Sequence, residues 1–358
     1  MTTVWCPAPS LEEFVAGTCR ALGAADDIAA EVAHHLVRAN LSGHDSHGVL
    51  RLPWYADQVA RGDLHPAARP SVVRETPGAA LFDAGRGFGH YSTLVALEWA
   101  LAHARTQGVA AATVRNSTHI GRLGEYTERG AGQGLVTIVT IGSAGETGRL
   151  VAPFGGRERF LGTNPWSFGV PAAGRPPMMY DAATSVIAEG KIRVAQAKGV
   201  PLQPGCILDA EGRPSTAPDD FYAGGMLLPV GGETAGHKGY GYSMAAAMVG
   251  GLSMSADAAP EAGAGRPNIG GVTVLALDPA AFGGADTSYA ARVGATLDAV
   301  GGVTPAPGVP RVLAPGEPEE LTREERGHTG IPLPEATWRS LEQLAGRLDV
   351  ALPEHREE

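Results

Sequence analysis

Residues 135–141 have the sequence LVTIVTI, an apolar and β-branched run between two glycine-containing turns. β-Branched side chains suit a pleated sheet, so this run predicts a buried β-strand. Further extended segments are expected at 79–82, 110–114, 160–168, 178–180 and 271–277. Because their spacing does not fit a regular βαβ repeat, the sequence predicts a mixed α/β body.

Helical patterns precede this body. Residues 10–40 predict two helices, and the first is expected to begin at Ser10, with Glu13 three residues later as in a capping box. A third helix is predicted to start at Ser46. Together these elements form a helical unit that ends near Pro70.

Further helices are predicted at 93–104, 237–252, 317–327 and 333–348. The last two form a tail that could pack beside the N-terminal helices, which would make the α/β body a central insertion. The expected division is residues 1–75 as the N-terminal part of a helical domain, 76–308 as a central α/β domain, and 309–358 as a helical tail packing with the N-terminal part.

The composition limits the classes of function. The 358 residues carry a net charge of −10 and no basic stripe, so nucleic-acid binding is not expected. No apolar run reaches the roughly 18 residues that span a membrane, and the N-terminus does not resemble a secretion signal. Three cysteines cannot build a disulfide framework. A cytoplasmic protein without membrane partners is therefore expected.

The first group of candidate functional residues lies in the segment 44–51, HDSHGVLR. On a helix starting near Ser46, His47 and Arg51 would be four residues apart and would share a face, which Tyr55 would continue. A guanidinium binds a carboxylate through two parallel hydrogen bonds, which orient it. The segment predicts a site for a 2-oxo or 2-hydroxy acid; a surface helix capped by Ser46, with solvated side chains, is the alternative.

The second group lies in the segment 115–122, RNSTHIGR, between the strand expected at 110–114 and a helix expected from Leu123. His119 would then lie at a strand-to-helix turn and could point into a cleft. Reduction of a ketone needs a proton donor, oxidation of an alcohol needs a base, and imidazole can act as both. A histidine that only binds loop backbone is the alternative.

Two more segments place polar groups beside small residues. Asp181, followed by Ala182 and Ala183, could bind a ribose hydroxyl or orient a histidine; an ordinary turn or helix N-cap is the alternative. Lys238 lies at the expected start of a glycine-rich helix, where it could bind a phosphate; a solvated lysine at a hinge is the alternative. The sequence has neither Gly-x-Gly-x-x-Gly nor a P-loop.

A series of short motifs resembles, in order, the malate/L-lactate dehydrogenase family that does not have a classical Rossmann fold. The motifs are GHDSHG at 43–48, NSTHIGR at 116–122, VAPFGG at 151–156, GTNP at 162–165, DAATS at 181–185, GK at 190–191, HKGY at 237–240 and PGE at 315–317. The ordered set covers nearly the whole chain. The family includes ureidoglycolate, sulfolactate and diketogulonate oxidoreductases and cyclic-imine reductases. Residues 198–209 and 323–333 resemble its hydroxycarboxylate dehydrogenase B subgroup.

The resemblance implies an α+β fold, with a helical domain formed by both chain ends and a central, mostly antiparallel, non-Rossmann domain that binds NAD or NADP. It implies a homodimer with its active site in a cleft, His119 as proton donor and acceptor, and Arg51 binding the carboxylate. Ser46, His47 and Tyr55 match positions near the substrate and nicotinamide. The positions that match cofactor contacts are His47, Gly121, Arg122, Ser143, Asp181, Ala182, Ala183, His237, Lys238, Asn268, Gly316 and Glu317.

The sequence departs from the family pattern at three places. The turn at 141–150 is slightly longer than usual, and Ala182 replaces a larger residue. Residues 88–91, FGHY, place His90 and Tyr91 where relatives more often have smaller or uncharged side chains.

The leading hypothesis is an oxidoreductase that transfers hydride reversibly between NAD(P) and a small 2-oxo or 2-hydroxy acid. An NADPH-dependent reductase of cyclic imines, such as piperideine- or pyrroline-2-carboxylate, would use Arg51 in the same way. A metal-dependent hydrolase with His44, Asp45 and His47 as ligands is a remote alternative. A binding protein that retained the fold without catalysis is a further one.

Overall fold

The fold is organised around a sheet whose central strands are the apolar segments of the sequence. The computed structural model describes residues 3–145, 148–254, 269–283 and 288–357. The strands are β1 (Thr3–Cys6), β2 (Ser71–Glu75), β3 (Ala79–Asp83), β4 (Val109–Arg115), β5 (Val136–Ala144), β6 (Trp166–Val170), β7 (Met178–Ala182), β8 (Ile207–Leu208), β9 (Pro214–Ser215), β10 (Met226–Leu227), β11 (Ile269–Leu277), β12 (Ile331–Pro334) and β13 (Arg356–Glu357). The helices are α1 (Ala8–Ala21), α2 (Asp26–Leu41), α3 (Leu52–Ala60), α4 (Gly89–Gln107), α5 (Leu123–Gly132), α6 (Glu189–Lys198), α7 (Pro218–Tyr222), α8 (Gly232–Gly250), α9 (Ala280–Gly283), α10 (Ser288–Gly301), α11 (Glu317–Thr329) and α12 (Glu335–Leu348).

The seven-stranded sheet has the order β2-β3-β4-β11-β5-β6-β7, in which only β3 and β4 are parallel. β5 pairs with β11 along its whole length, from Val136 opposite Leu277 to Ala144 opposite Ile269. The helices α4, α5 and α8 pack on this sheet. The predicted α+β class with a mostly antiparallel sheet is confirmed.

The two ends of the chain share one hydrophobic core. β1 pairs with both β12 and β13, and Phe14, Ile28 and Leu341 from α1, α2 and α12 are buried in the same cluster. Burial of one such side chain stabilises the fold by roughly 1.5–3 kcal/mol. The division of the chain at residues 75 and 308 remains a proposal, with which this shared core agrees.

The predicted starts of the first and the last helix are wrong. α1 begins at Ala8, before Ser10, and no side chain caps it. Pro9 is favourable in this first turn because its missing N–H would have no partner inside the helix. The Ser10 hydroxyl instead accepts a hydrogen bond from the Glu354 N–H at 2.7 Å. In the tail, Leu333 belongs to β12, so α12 begins two residues later than expected.

The three cysteines, Cys6, Cys19 and Cys206, are separate buried thiols. Burial raises the pKa of Cys6 to about 11 and that of Cys19 to about 12, so both sulfurs stay protonated near neutral pH. In the described ranges, no helix combines the length and the apolarity that crossing a bilayer requires.

Candidate active site

The α-helix predicted from Ser46 is instead a pair of 3-10 turns, Asp45–His47 and Val49–Arg51. Gly48 lies between them in an extended conformation, with φ −92° and ψ −154°. A side chain at Gly48 would lie 2.1 Å from Asn40 Oδ1, so glycine leaves room for the Asn40 amide. The prediction that side chains of this segment share one face of an α-helix is therefore wrong.

The two turns are held from both sides. The buried Asn40 side chain donates a hydrogen bond to Asp45 Oδ1 at 2.7 Å and accepts one from the Val49 N–H at 2.9 Å. From α11, the Arg326 guanidinium donates to both carboxylate oxygens of Asp45, at 2.7 and 3.1 Å. The position of this segment thus depends on α2 and on the C-terminal tail.

The predicted substrate and catalytic residues lie together. The rings of His47 and His119 stack with centroids 5.6 Å apart, and the Tyr55 hydroxyl lies 2.7 Å from His119 Nδ1. Ser46 Oγ lies 3.0 Å from His47 Nδ1, and Arg51 Nε donates to the Ser46 carbonyl at 2.7 Å. The fold therefore forms one cluster from groups that are distant in sequence; Tyr55 and His119, for example, are 64 positions apart.

His119 lies in the turn between β4 and α5, as predicted. The N-terminus of α4 packs against this turn so closely that a side chain at Gly89 would lie 2.4 Å from the Thr118 carbonyl oxygen. Gly121 has a φ of +74°, and a side chain there would lie 2.4 Å from His35 Nε2. Packing against α2 and α4 therefore fixes the backbone that carries His119.

Burial and nearby cations keep the site histidines neutral. Burial, followed by Arg51, lowers the pKa of His47 to about 3. The pKa of His119 is also well below its usual range, because of burial and then of the neighbouring His47 and Arg51. Among the described residues, Arg51 contacts the Ser46 carbonyl and the Trp54 ring, 5.9 Å away, and no carboxylate pairs with it. A half-buried guanidinium without a counterion favours an anionic ligand.

One group of predicted cofactor residues surrounds the start of α5. Asp181 accepts a hydrogen bond from the Gly124 N–H at 2.6 Å and so caps this helix. Burial raises its pKa, partly offset by Arg122. The Arg122 side chain is only 1% exposed and lies 3.3 Å from Glu128 and 3.8 Å from Asp181. Both side chains are thus already engaged inside the protein, and their cofactor contacts stay predictions.

A second group lies where the segment that follows β7 contacts the residues just before α8. The Val230 N–H donates to the Thr184 carbonyl at 2.8 Å just before α8. Inside α8, Ala235 has a non-helical φ of −131°, so that His237 and Lys238 lie in the first turn of the regular helix that follows. No described carboxylate pairs with Lys238. A free ammonium beside backbone N–H groups fits a dinucleotide phosphate.

The other predicted cofactor positions lie at strand ends and turns. The Ser143 N–H, near the end of β5, donates to Asn164 Oδ1 at 2.9 Å. Gly316, with φ +95°, packs against β7, and Glu317 pairs with Arg311 at 3.2 Å. Ala182 ends β7 and Ala183 follows it. Asn268 lies outside the described residues.

The residues of the alternative metal site do not converge. His44 Nε2 lies 3.2 Å from a carboxylate oxygen of Glu319, Asp45 pairs with Arg326, and His47 contacts Ser46 and His119. No group of three metal-ligating side chains forms anywhere in the described part of the chain. The hydrolase hypothesis therefore has no geometric basis.

Sequence reasoning did not assign a role to His35, Asn40 or His90. His35 Nε2 donates to the Arg122 carbonyl at 3.0 Å, and His90 Nε2 lies 3.3 Å from the Tyr55 hydroxyl. Both histidines are fully buried. His35 interrupts an apolar helical stripe, and His90 departs from the family pattern. Both histidines were therefore recognisable in the sequence as candidates for a buried polar contact.

Comparison with known proteins gives the class. Residues 6–342 match the malate/L-lactate dehydrogenase family, and the chain belongs to this family. Hydroxycarboxylate dehydrogenase B of Escherichia coli (strain K12) is 35% identical over 352 residues, which cover 97% of this chain and 94% of that protein. The delta(1)-pyrroline-2-carboxylate/delta(1)-piperideine-2-carboxylate reductase of Pseudomonas putida is 32% identical, covering 96% and 98%.

The solved structures agree with this assignment. The crystal structure of malate dehydrogenase from Entamoeba histolytica superposes with a TM-score of 0.90 at 27% identity, covering 98% of this chain and 100% of that one. The protein is therefore an oxidoreductase that acts on CH–OH groups, and its family implies a nicotinamide cofactor.

Proposed function

We propose that this protein transfers hydride reversibly between NAD(P) and a small 2-oxo or 2-hydroxy carboxylic acid. The observation that carries the proposal is the half-buried Arg51, which has no carboxylate partner among the described residues and shares a cluster with His119. Because its Nε is bound to the Ser46 carbonyl, the two terminal nitrogens are left to bind the substrate carboxylate.

His119 moves the proton. It donates to the carbonyl oxygen in reduction and accepts from the hydroxyl in oxidation, while the bound nicotinamide supplies the carbon that exchanges hydride. Reduction needs a protonated ring, yet burial, His47 and Arg51 hold the pKa of His119 low. A bound carboxylate offsets the charge of Arg51 and raises this pKa, so the substrate itself favours protonation of His119. Ser46 and His47 position the substrate and nicotinamide.

A variant of His119 tests this role. His119→Ala should lower kcat for 2-oxo acid reduction by about 10²- to 10⁴-fold, the usual contribution of a general acid. NAD(P)H binding, followed by fluorescence titration, should be largely retained. His328→Ala, at an exposed position on α11, serves as the control. Near-normal turnover of His119→Ala would show that another group moves the proton.

The cofactor is NAD or NADP, held by the predicted positions at the start of α5, at the end of β7, in α8 just after Ala235 and at the start of α11. Lys238 binds a phosphate in this arrangement. A comparison of kcat/KM with NADH and with NADPH distinguishes the two cofactors. Absence of any NAD(P)H binding would favour a binding protein that retained the fold.

Reduction of a cyclic imine is the second candidate, favoured by the Pseudomonas putida reductase. Arg51 would bind the carboxylate beside the C=N bond unchanged. NAD(P)H oxidation, measured with a panel of 2-oxo acids beside piperideine- and pyrroline-2-carboxylate, separates the candidates. A larger kcat/KM with an imine would select the second one.

We also propose that the protein is a homodimer of the cytoplasm. The family resemblance supports the dimer, and the separate, buried cysteines agree with a reducing compartment. Light scattering of the purified protein at several concentrations tests the dimer, which a monomer mass throughout would contradict.

A further inference from the structure

We infer that Trp54 is a specificity-determining residue, whose indole ring forms an apolar wall of the site and selects 2-oxo acids with an aromatic or apolar far end over those with a second carboxylate. This role rests on the proposed function and narrows its substrate class. It concerns a large aromatic side chain that carboxylate binding and proton transfer leave without a purpose.

Trp54 lies on the solvent side of the cluster. It is in the first turn of α3 and is 40% exposed, whereas the next residue, Tyr55, is buried. The Trp54 ring lies edge-on to the His119 ring, at 87° and with centroids 5.9 Å apart. The central carbon of the Arg51 guanidinium is 5.9 Å from the centroid of the same ring. One indole is thus adjacent both to the group that binds the carboxylate and to the group that moves the proton.

These two neighbours determine where the rest of a substrate lies. In a 2-oxo acid the carboxylate carbon and the carbonyl carbon are bonded to each other. A carboxylate on Arg51 and a carbonyl oxygen at His119 therefore place the reacting carbon between the two groups that flank Trp54. The remaining substituent of that carbon is the side chain of the acid. Because the buried Tyr55 fills the inner side of His119, this substituent extends toward the solvent side, where Trp54 lies.

The surroundings of Trp54 favour an uncharged substituent. Leu50, which precedes Arg51, is also apolar and 38% exposed. Burial lowers the pKa of His47 and of His119 far enough that both rings are neutral in the empty site. Arg51 is therefore the only cation among the described residues of the cluster, and the first carboxylate already uses it. A second carboxylate on the same substrate finds no counterion there.

An indole face discriminates between these substituents in two ways. Its π-electrons make the face negative, so that it attracts the positive edge of another aromatic ring and disfavours a carboxylate. A carboxylate against the ring would also lose part of its hydration without gaining a partner. Both effects act on the bound substrate and on the transition state, so the specificity appears as a ratio of kcat/KM values.

Two comparisons of kcat/KM with NAD(P)H test this role. 2-Oxopentanoate and 2-oxoglutarate have carbon chains of the same length, which end in a methyl group and in a carboxylate. The wild type should prefer 2-oxopentanoate by about tenfold or more. Trp54→Ala should lower the ratio of kcat/KM for phenylpyruvate to that for pyruvate about tenfold, whereas Trp54→Phe should retain most of this ratio because it keeps an aromatic face.

A charged variant and a distant aromatic residue complete the design. Trp54→Arg offers a second cation, so it should raise kcat/KM for 2-oxoglutarate about five- to tenfold while kcat/KM for phenylpyruvate falls. Phe282→Ala removes an aromatic ring that is 72% exposed on α9, and it should keep the wild-type ratios.

Two results would overturn the inference. One is a wild type that prefers 2-oxoglutarate to 2-oxopentanoate, since a second cation would then bind the far carboxylate; Lys191 follows Gly190, where a side chain would lie 3.5 Å from Ser46 Cβ. This comparison needs no variant, so it decides even if a Trp54 variant does not fold. The other is an unchanged ratio in Trp54→Ala, including the case in which its mass in solution changes because Trp54 contacts a partner subunit.

Failure of the proposed function appears separately. It would show as a wild type that reduces none of these acids. Calorimetric binding of 3-phenyllactate and of 2-hydroxyglutarate, with the oxidised cofactor present, would then still test Trp54. The wild type should bind 3-phenyllactate more tightly, and Trp54→Ala should lose most of this preference. Equal preferences in the two proteins would contradict the role of Trp54.

Discussion

Arg51 determines which end of a substrate the site can recognise. Its guanidinium is oriented by one hydrogen bond, from Nε to the Ser46 carbonyl, and no described carboxylate neutralises it. Arg51→Gln should therefore lower kcat/KM for a carboxylate substrate by about 10- to 100-fold, since a hydrogen bond to a charged group is worth about 1.5–3 kcal/mol. Steady-state kinetics with 2-oxo acids measures this loss.

The control variant removes a different positive charge, and a second comparison removes the negative charge of the substrate. Arg74→Gln removes an arginine from the exposed strand β2 and should leave kcat/KM unchanged. The uncharged amide of the same substrate should lose little activity in Arg51→Gln. Equal losses for acid and amide would mean that Arg51 does not bind the carboxylate.

The same residues show what the sequence could predict. The grouping of Ser46, His47, Arg51 and His119 followed from the family motifs, but the α-helix assumed for His47 and Arg51 did not form. The cause is a long-range contact, because Asn40 occupies the space beside Gly48 and binds both turns. Helical spacing along the segment contains no information about a side chain from another helix.

At the scale of elements, α11 links the chain terminus to the substrate segment. Arg326 binds both oxygens of Asp45, and Glu319 contacts His44. Arg326→Gln should release the first turn of the segment, raise KM for the acid and lower the free energy of unfolding by about 1 kcal/mol, because the Asp45 carboxylate is partly exposed. Kinetics and urea unfolding measure the two effects.

A matched ion pair on the neighbouring tail helix provides the control. Arg339 pairs with Glu335 on α12, where both side chains are exposed, so Arg339→Gln should change neither KM nor, beyond a few tenths of a kcal/mol, stability. If Arg326→Gln lowered stability without raising KM, Asn40 alone would be sufficient to hold the segment.

Elements differ in how far sequence predicts them. β5 was predictable because its own β-branched residues favour a buried strand. β1, β12 and β13 were not predicted, since each is short and their pairing joins the two ends of the chain. Leu333 fits a helical stripe by its spacing, yet pairing with Val4 places it in a strand.

On the scale of the whole molecule, buried neutral histidines link stability to pH. Burial lowers the pKa of His35 to about 3 and that of His90 well below its usual range. In the unfolded chain both would titrate near pH 6.5, so the unfolded state binds more protons below that pH. The two histidines therefore do not reduce the free energy of unfolding above about pH 6.5. Below that pH the free energy of unfolding falls, and it continues to fall until the pH reaches the pKa values of the folded state.

This linkage predicts how steeply the free energy of unfolding changes with pH. A histidine that stays neutral in the folded state lowers the free energy of unfolding by up to about 1.4 kcal/mol for each pH unit below about 6.5. Urea unfolding between about pH 7 and pH 5 should therefore show a smaller decrease for His90→Gln than for the wild type, because one such group is gone. His328→Gln, on the exposed side of α11, should retain the wild-type slope. Equal slopes for His90→Gln and the wild type would mean that His90 takes up its proton without unfolding, which its burial against Tyr55 and His35 opposes.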